Sequence, residues 1–164
     1  MSVSKVDGIG TRKDGSGGET ANFESRVKSV RLHATEAIAK GDIVAFDFTL
    51  DGSSLEQDPG HGIRIRRADS DDTTDDEFRQ GIGVALEAIS SGSVGPVQVS
   101  GRCNVCKVKA SIDVGLLIKP NTTPGDGAIA YASGDEQLPL GMLVKFGTAD
   151  TADSQVLLFN PCNL

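Results

Sequence analysis

The residues best suited to chemistry are Cys103-Asn104-Val105-Cys106, whose two-residue spacing is that of thiol redox pairs and half zinc sites. A redox pair of this kind relies on a helix N-terminus to lower the attacking thiol's pKa, whereas this stretch reads as strand. A structural zinc takes four ligands. Beyond the pair only Cys162, His33 and His61 remain, with no second pair at metal spacing. In a strand, positions i and i+3 also face opposite sides. The expectation is a pair of buried structural thiols. A total of three cysteines argues against a disulfide framework and for folding in a cytoplasm.

A second cluster is charged. Arg64, Arg66 and Arg67 precede Asp69, Asp71, Asp72, Asp75, Asp76 and Glu77. Crowded carboxylates suit calcium, which takes six or more oxygens. Counted from Asp69, however, the sixth and twelfth positions are Thr74 and Gln80, where an EF-hand loop requires Gly and Glu. The segment is read as a solvated loop whose carboxylates offset the neighbouring arginines. Other catalytic patterns are incomplete. Gly81-Ile82-Gly83-Val84-Ala85-Leu86 lacks the third glycine and the helix of a dinucleotide fingerprint. Asp14-Gly15-Ser16-Gly17-Gly18 transposes the order of a serine-protease nucleophile loop, and no GxSxG elbow occurs. Neither histidine has a recognisable nucleophile nearby in sequence. The Arg-Ser-Gly phosphate segment of trimeric dUTPase-like hydrolases is missing. The chain is therefore expected to be no enzyme, with no catalytic, metal-binding or cofactor-binding residues and no cofactor.

The elements that carry these residues are short and extended. Val44, Phe46, Phe48 and Leu50 alternate with Ala45, Asp47, Thr49 and Asp51, a period-2 pattern. Ile63 and Ile65 alternate with Arg64 and Arg66, and Ile82, Val84, Leu86 and Ala88 share a face, as do Val97 and Val99. Further strands are predicted at 105–110, 115–118, 128–132, 142–146 and 155–159. Turn residues separate them, as in Pro120-Asn121-Thr122-Thr123-Pro124-Gly125-Asp126-Gly127. One helical turn at 35–40 is the sole helical candidate. The fold class predicted is all-β, a small β-sandwich or β-barrel-like domain. The halves echo each other: a Gly-Asp turn with its strand (Gly41-Asp42, Gly125-Asp126), a Gly-led strand, then a Gln-Val strand. In that alignment 51–79 is a loop excursion from a single β-rich domain spanning 27–164.

Residues 1–26 differ. Five glycines sit among charged residues with few apolar ones, so the segment cannot bury enough surface to offset its ordering entropy. It is read as an extended N-terminal arm that lies on a partner, or alternatively on its own domain. The 164-residue chain carries 16 basic and 23 acidic residues, net −7. That balance disfavours direct nucleic-acid binding and an anionic membrane. No apolar run approaches the roughly 18 residues of a membrane helix, and the first residues lack a signal peptide's apolar stretch.

Three stretches, Ala37-Ile38-Ala39-Lys40-Gly41-Asp42-Ile43-Val44, Gly81-Ile82-Gly83-Val84-Ala85-Leu86-Glu87-Ala88 and Val97-Gln98-Val99-Ser100-Gly101-Arg102, resemble the capsid decoration (cement) proteins of tailed bacteriophages. That family shows a Gly-Asp turn, a Gly-x-Ala/Val-Leu-Glu strand and a Val-x-Val-x-Gly strand. The match spans about residues 37–131, and the arm and acidic excursion depart from it. The resemblance implies a β-rich homotrimer on the outer surface of the virion capsid, made in the host cytoplasm. It would bridge subunits of the major capsid protein and oppose internal DNA pressure. Lys5, Ile9, Arg12, Lys13 and Phe23 of the arm are the expected capsid or subunit interface. The alternatives are a carbohydrate- or receptor-binding β-module on a virion surface and a small trimeric β-fold hydrolase. The absence of Trp and the single Tyr131 weigh against sugar stacking.

Overall fold

The computed structural model describes residues 27–47, 64–69, 80–135 and 137–159. Nine strands follow one another: β1 (Lys28–Ala34), β2 (Ile43–Phe46), β3 (Arg64–Arg67), β4 (Gly83–Ala85), β5 (Val94–Cys106), β6 (Leu117–Lys119), β7 (Ile129–Ala130), β8 (Gly141–Lys145) and β9 (Ser154–Leu158). The all-β expectation is met, and no helix occurs among the described residues. The 35–40 segment is not a helical turn. Its Ile38 instead bridges Ile89 with paired hydrogen bonds of 2.9 and 2.8 Å.

The sheet order is β1-β3-β2-β4-β5-β9-β8-β6-β7, with β1 also pairing β5. That last pairing closes the first five strands into a ring: β1 lies parallel to β3, and every other pairing in the circuit is antiparallel. Closure removes the exposed edges of an open sheet. β5 is 13 residues long. Its first half, to Ser100, completes this ring, and from Gly101 onward it pairs with β9. β9, β8, β6 and β7 continue from there, and a parallel bridge between Val108 and Ala128 returns the circuit to the end of β5. The molecule is two small barrel-like rings sharing one strand.

The two rings repeat the same hydrogen bonds. Gly41 N–H donates to Ala85 C=O at 2.9 Å, as Gly115 N–H does to Leu143 C=O at 2.8 Å. Ile82 donates to Val44, and Leu140 to Ile118, both at 2.8 Å. Thr35 to Ile65 is matched by Lys109 to Ala128, both at 2.9 Å. Their interiors match too. Leu32, Ala34, Ile38, Val44, Ile65, Ile82, Ala85 and Val97 fill the first ring. Cys106, Val108, Ile112, Ile118, Ala128, Leu140, Leu143 and Val156 stand at the same places in the second.

The internal echo is thus present with a corrected register. The Gly-Asp turn at Gly41 corresponds to Gly115, not to Gly125. Both glycines have left-handed backbone, at φ +86° and +93°, a conformation that L side chains adopt only at a cost. The sequence echo misplaces the pairing because Gly125-Asp126 copies the residue types, and its glycine is left-handed too, while Gly115 holds Gly41's place in the hydrogen-bond pattern. The 51–79 excursion also needs correction in its middle: Arg64–Arg67 is β3, and Ile65 is fully buried in the first ring. The flanking stretches, with Phe48, Leu50 and Ile63, lie outside the described residues.

Candidate functional site

Cys103 and Cys106 are both fully buried and free. A register shift in the β5–β9 ladder falls between them, so the simple alternation that would send i and i+3 to opposite faces is broken. Both enter one apolar cluster. Burial pushes both thiols above their ordinary range, and for Cys106 the nearby Cys103 and Asp42 add to the rise. A thiol held protonated is neither a good nucleophile nor a ready metal ligand. Cys106 stands where the first ring has Leu32. Among the described residues no group of three or more His, Cys, Asp or Glu side chains is placed to hold a metal.

The charged residues converge where the rings meet. The Ala39-Lys40-Gly41-Asp42 turn of the first ring sits on the end of β5. Lys107 N–H donates to Gly41 C=O at 3.0 Å, and Lys107 Nζ lies 2.6 Å from Asp42 Oδ1. Asp42 Oδ2 accepts the Ala39 N–H at 2.8 Å, which closes the turn. The Asp42 carboxylate is buried, and both of its oxygens are occupied. Beside it Arg67 donates its backbone N–H and Nη2 to the two oxygens of Glu36, at 2.8 and 2.9 Å. Partial burial pushes the Glu36 carboxyl up, but the Arg67 hydrogen bonds and charge outweigh it and hold the carboxyl below its ordinary value. On the other flank Lys109 Nζ bridges Asp126 and Asp150, each at 3.0 Å. The hydrogen bonds to these two carboxylates raise the Lys109 ammonium above its usual value.

These groups line or border an open groove of about 530 Å³ whose walls include Asp42, Arg67, Lys107, Ser90 and Asp126. Asp42, Lys107 and Arg67 are each engaged by a partner across or beside the seam. Asp42 with Lys107 is a polar clamp between the two rings, and the Glu36–Arg67 and Lys109 pairs each lie within one ring beside it. Sequence reasoning singled out Gly41-Asp42 as a turn and Arg67 as part of a charge run. It missed the pairing of Asp42 with Lys107 and of Arg67 with Glu36, because both join segments far apart in the chain. Of the acidic run only Asp69 is described. Lys5, Ile9, Arg12, Lys13 and Phe23, like Cys162 and His61, lie outside the described residues. His33 lies on β1.

The class these features define is an all-β, duplicated β-ring domain with a charged seam. Among solved structures the chain is similar to the head fibre gp8.5 N base of bacteriophage phi29. The identity is 14%, the match covers 82% of this chain and 95% of that one, and the TM-score is 0.50. At that identity the likeness is one of fold. No family model matches the chain, and no curated protein matches it.

Proposed function

We propose that this chain is a structural virion protein of a tailed bacteriophage. It binds the outside of the assembled capsid as a homotrimer, bridges major capsid protein subunits and stabilises the head against internal DNA pressure. The observation that carries this reading is the fold likeness to a phage head fibre base, over most of both chains. The sequence resemblance to capsid decoration proteins points the same way. The described surface is also consistent with a mechanical role: the Asp42–Lys107 pair joins the protein's own rings, the other charged groups at the seam pair within their rings, and the thiols are sealed in the core. The role requires no catalysis and no cofactor. Contact with the capsid is made by folded surface together with the arm, and stable interfaces of this kind bury roughly 1,200–2,000 Å².

The test is direct. Purified protein is added to assembled capsids that lack it, and occupancy is read by co-sedimentation and by the temperature at which packaged DNA escapes. Saturable binding with a higher escape temperature is expected. Failure to bind assembled capsids overturns the reading. Removing residues 1–26 is expected to lower occupancy at fixed concentration, and unchanged occupancy takes Lys5, Ile9, Arg12, Lys13 and Phe23 out of the interface.

A further inference from the structure

The two rings are equivalent in backbone and interior, so each carries the same two outer surfaces: a turn that docks and a face that receives a turn. Among the described residues, only one of each is used inside the chain. The first ring's turn, around Gly41, is covered. A Cβ added at Gly41 would strike Val105, Ala152 and Lys107 of the second ring. The matching turn of the second ring, Asp113-Val114-Gly115-Leu116, is bare. A Cβ at Gly115 would meet nothing within 4 Å, and Val114 and Leu116 are 61% and 46% exposed. The neighbouring sheet face follows suit. Ile43 and Val84 of the first ring are buried at the seam, while their counterparts Leu117 and Met142 are only half-buried.

The receiving face shows the reverse asymmetry. In the second ring it consists of Val105 on β5, Lys107 just beyond it and Ala152 in the β8–β9 hairpin, and it is occupied by the first ring. Its counterparts in the first ring are Arg31 and His33 on β1 and Val94. Val94 alone fills the place of Ala152 and Asp153: Ser93 and Thr151 make the same hairpin bond to Ser90 and Thr148, and Leu32 pairs with Gly95 as Cys106 pairs with Ser154. Val94 is 49% exposed and Arg31 is exposed, with its Nη2 donating to the Val94 carbonyl at 3.1 Å. The chain therefore presents an unused docking turn at one end and an unused receiving face at the other.

The geometry points to head-to-tail self-association. The Val114-Gly115-Leu116 turn of one copy seats on the Arg31, His33 and Val94 face of a second copy, continuing the ring-to-ring contact already made within the chain. The occupant is a second copy because the contact repeats an interface that the molecule already forms. The chemistry changes at one point. Where Asp42 meets Lys107 within the chain, Leu116 meets His33 between copies, so the contact between copies is less polar than the one inside. Such an interface is heterologous. It closes into a ring if the rotation allows and extends as a filament if it does not. The homotrimer proposed above would be the closed form, with six rings in a circle. The inference deepens that self-association and does not depend on capsid binding.

Leu116→Asp disables the turn and Val94→Asp disables the receiving face. Both positions are exposed, and unchanged circular dichroism and melting temperature of the isolated monomers would show that each variant folds. Masses of the full-length proteins in solution, measured over a concentration series, give the readout. The wild type is expected to associate, each single variant to be monomeric at concentrations at least tenfold above the wild-type midpoint, and an equimolar mixture of the two to form 1:1 heterodimers and nothing larger. Each variant retains the surface that the other lacks, so heterodimers appear only if the interface is head-to-tail. A monomeric wild type, a single variant that associates like the wild type, or a mixture that stays monomeric overturns the inference. Capsid binding, measured separately, is unaffected as a test of the virion role.

Discussion

At the scale of single residues, the seam is governed by one carboxylate. Asp42 is 2% exposed and satisfies both a turn N–H and the Lys107 ammonium. Truncating one member of a buried pair strands the other charge, and removing a cap of this sort costs on the order of 1 kcal/mol by itself. Lys107 keeps some solvent contact, which moderates the penalty. Asp42→Ala is expected to destabilise the fold by about 2–3 kcal/mol. Asp42→Asn, which can still accept the Ala39 N–H, should cost about half as much. Urea midpoints with an unchanged slope measure both, and equal losses would mean that the charge matters and the turn bond does not. Glu36 supplies a pH signature. Its folded carboxyl titrates below the ordinary 4.5, so its stabilisation is fully present above that value and fades as pH falls through the lowered folded value. Glu36→Gln should therefore lower stability at pH 7 by roughly 0.5–1 kcal/mol, since the pair with Arg67 is partly solvated. Below the folded pKa the variant and wild-type melting curves should converge. A gap that persists into acid would assign the effect to packing.

At the scale of elements, the repeated turn offers a controlled comparison. Gly41 and Gly115 share a left-handed backbone, so alanine at either incurs about 1 kcal/mol of conformational strain. Only at Gly41 does the new methyl also collide with the Val105 carbonyl and the Ala152 side chain, atoms of a packed seam that cannot move freely. Gly41→Ala is expected to lose at least about 2 kcal/mol more than Gly115→Ala, as read from chemical denaturation of the monomer. Equal losses would refute the equivalence of the two turns in different surroundings. The same pair shows what was legible in the sequence. The strand pattern places β8 and β9 to within a residue and finds the starts of β2 and β4, because each presents one face to an apolar interior, but it carries β4 on to Ala88 and β2 beyond Phe46. β1 was not singled out, since Lys28-Ser29-Val30-Arg31 is exposed on both faces and carries no alternation. β3 reads as a strand yet falls in the excursion, because aligning the halves on Gly41-Asp42 and Gly125-Asp126 leaves 51–79 over as an extra stretch. The candidate site was harder still. Asp42 with Lys107, and Glu36 with Arg67, are partners set by which strands neighbour each other, and the parallel β1–β3 pairing leaves no local mark in the chain.

At the scale of the whole molecule, the two rings are repeats in geometry but not in energetics. Each has its own interior, yet Ile43, Ala45 and Val84 from the outer face of the first ring enter the same apolar cluster as Ile118, Leu143 and Val156 inside the second. β5 runs unbroken through both. Unfolding one ring would expose the seam face of the other, break the Asp42–Lys107 clamp and free half of a shared strand, so neither ring has a stable state without its neighbour. Repeat proteins whose units touch only at their ends can unfold stepwise. Here the shared strand and merged core predict a single transition. The sole tyrosine, Tyr131, follows β7 in the second ring and reports locally by fluorescence, whereas far-ultraviolet circular dichroism reports on both rings. The two signals should give one urea midpoint. Val156→Ala, a fully buried position of the second ring, should lower both by the same amount, about 1–3 kcal/mol. A tyrosine transition that moves while part of the circular dichroism stays at the wild-type midpoint would show that the first ring folds alone. The seam would then be a docking contact and not part of one core.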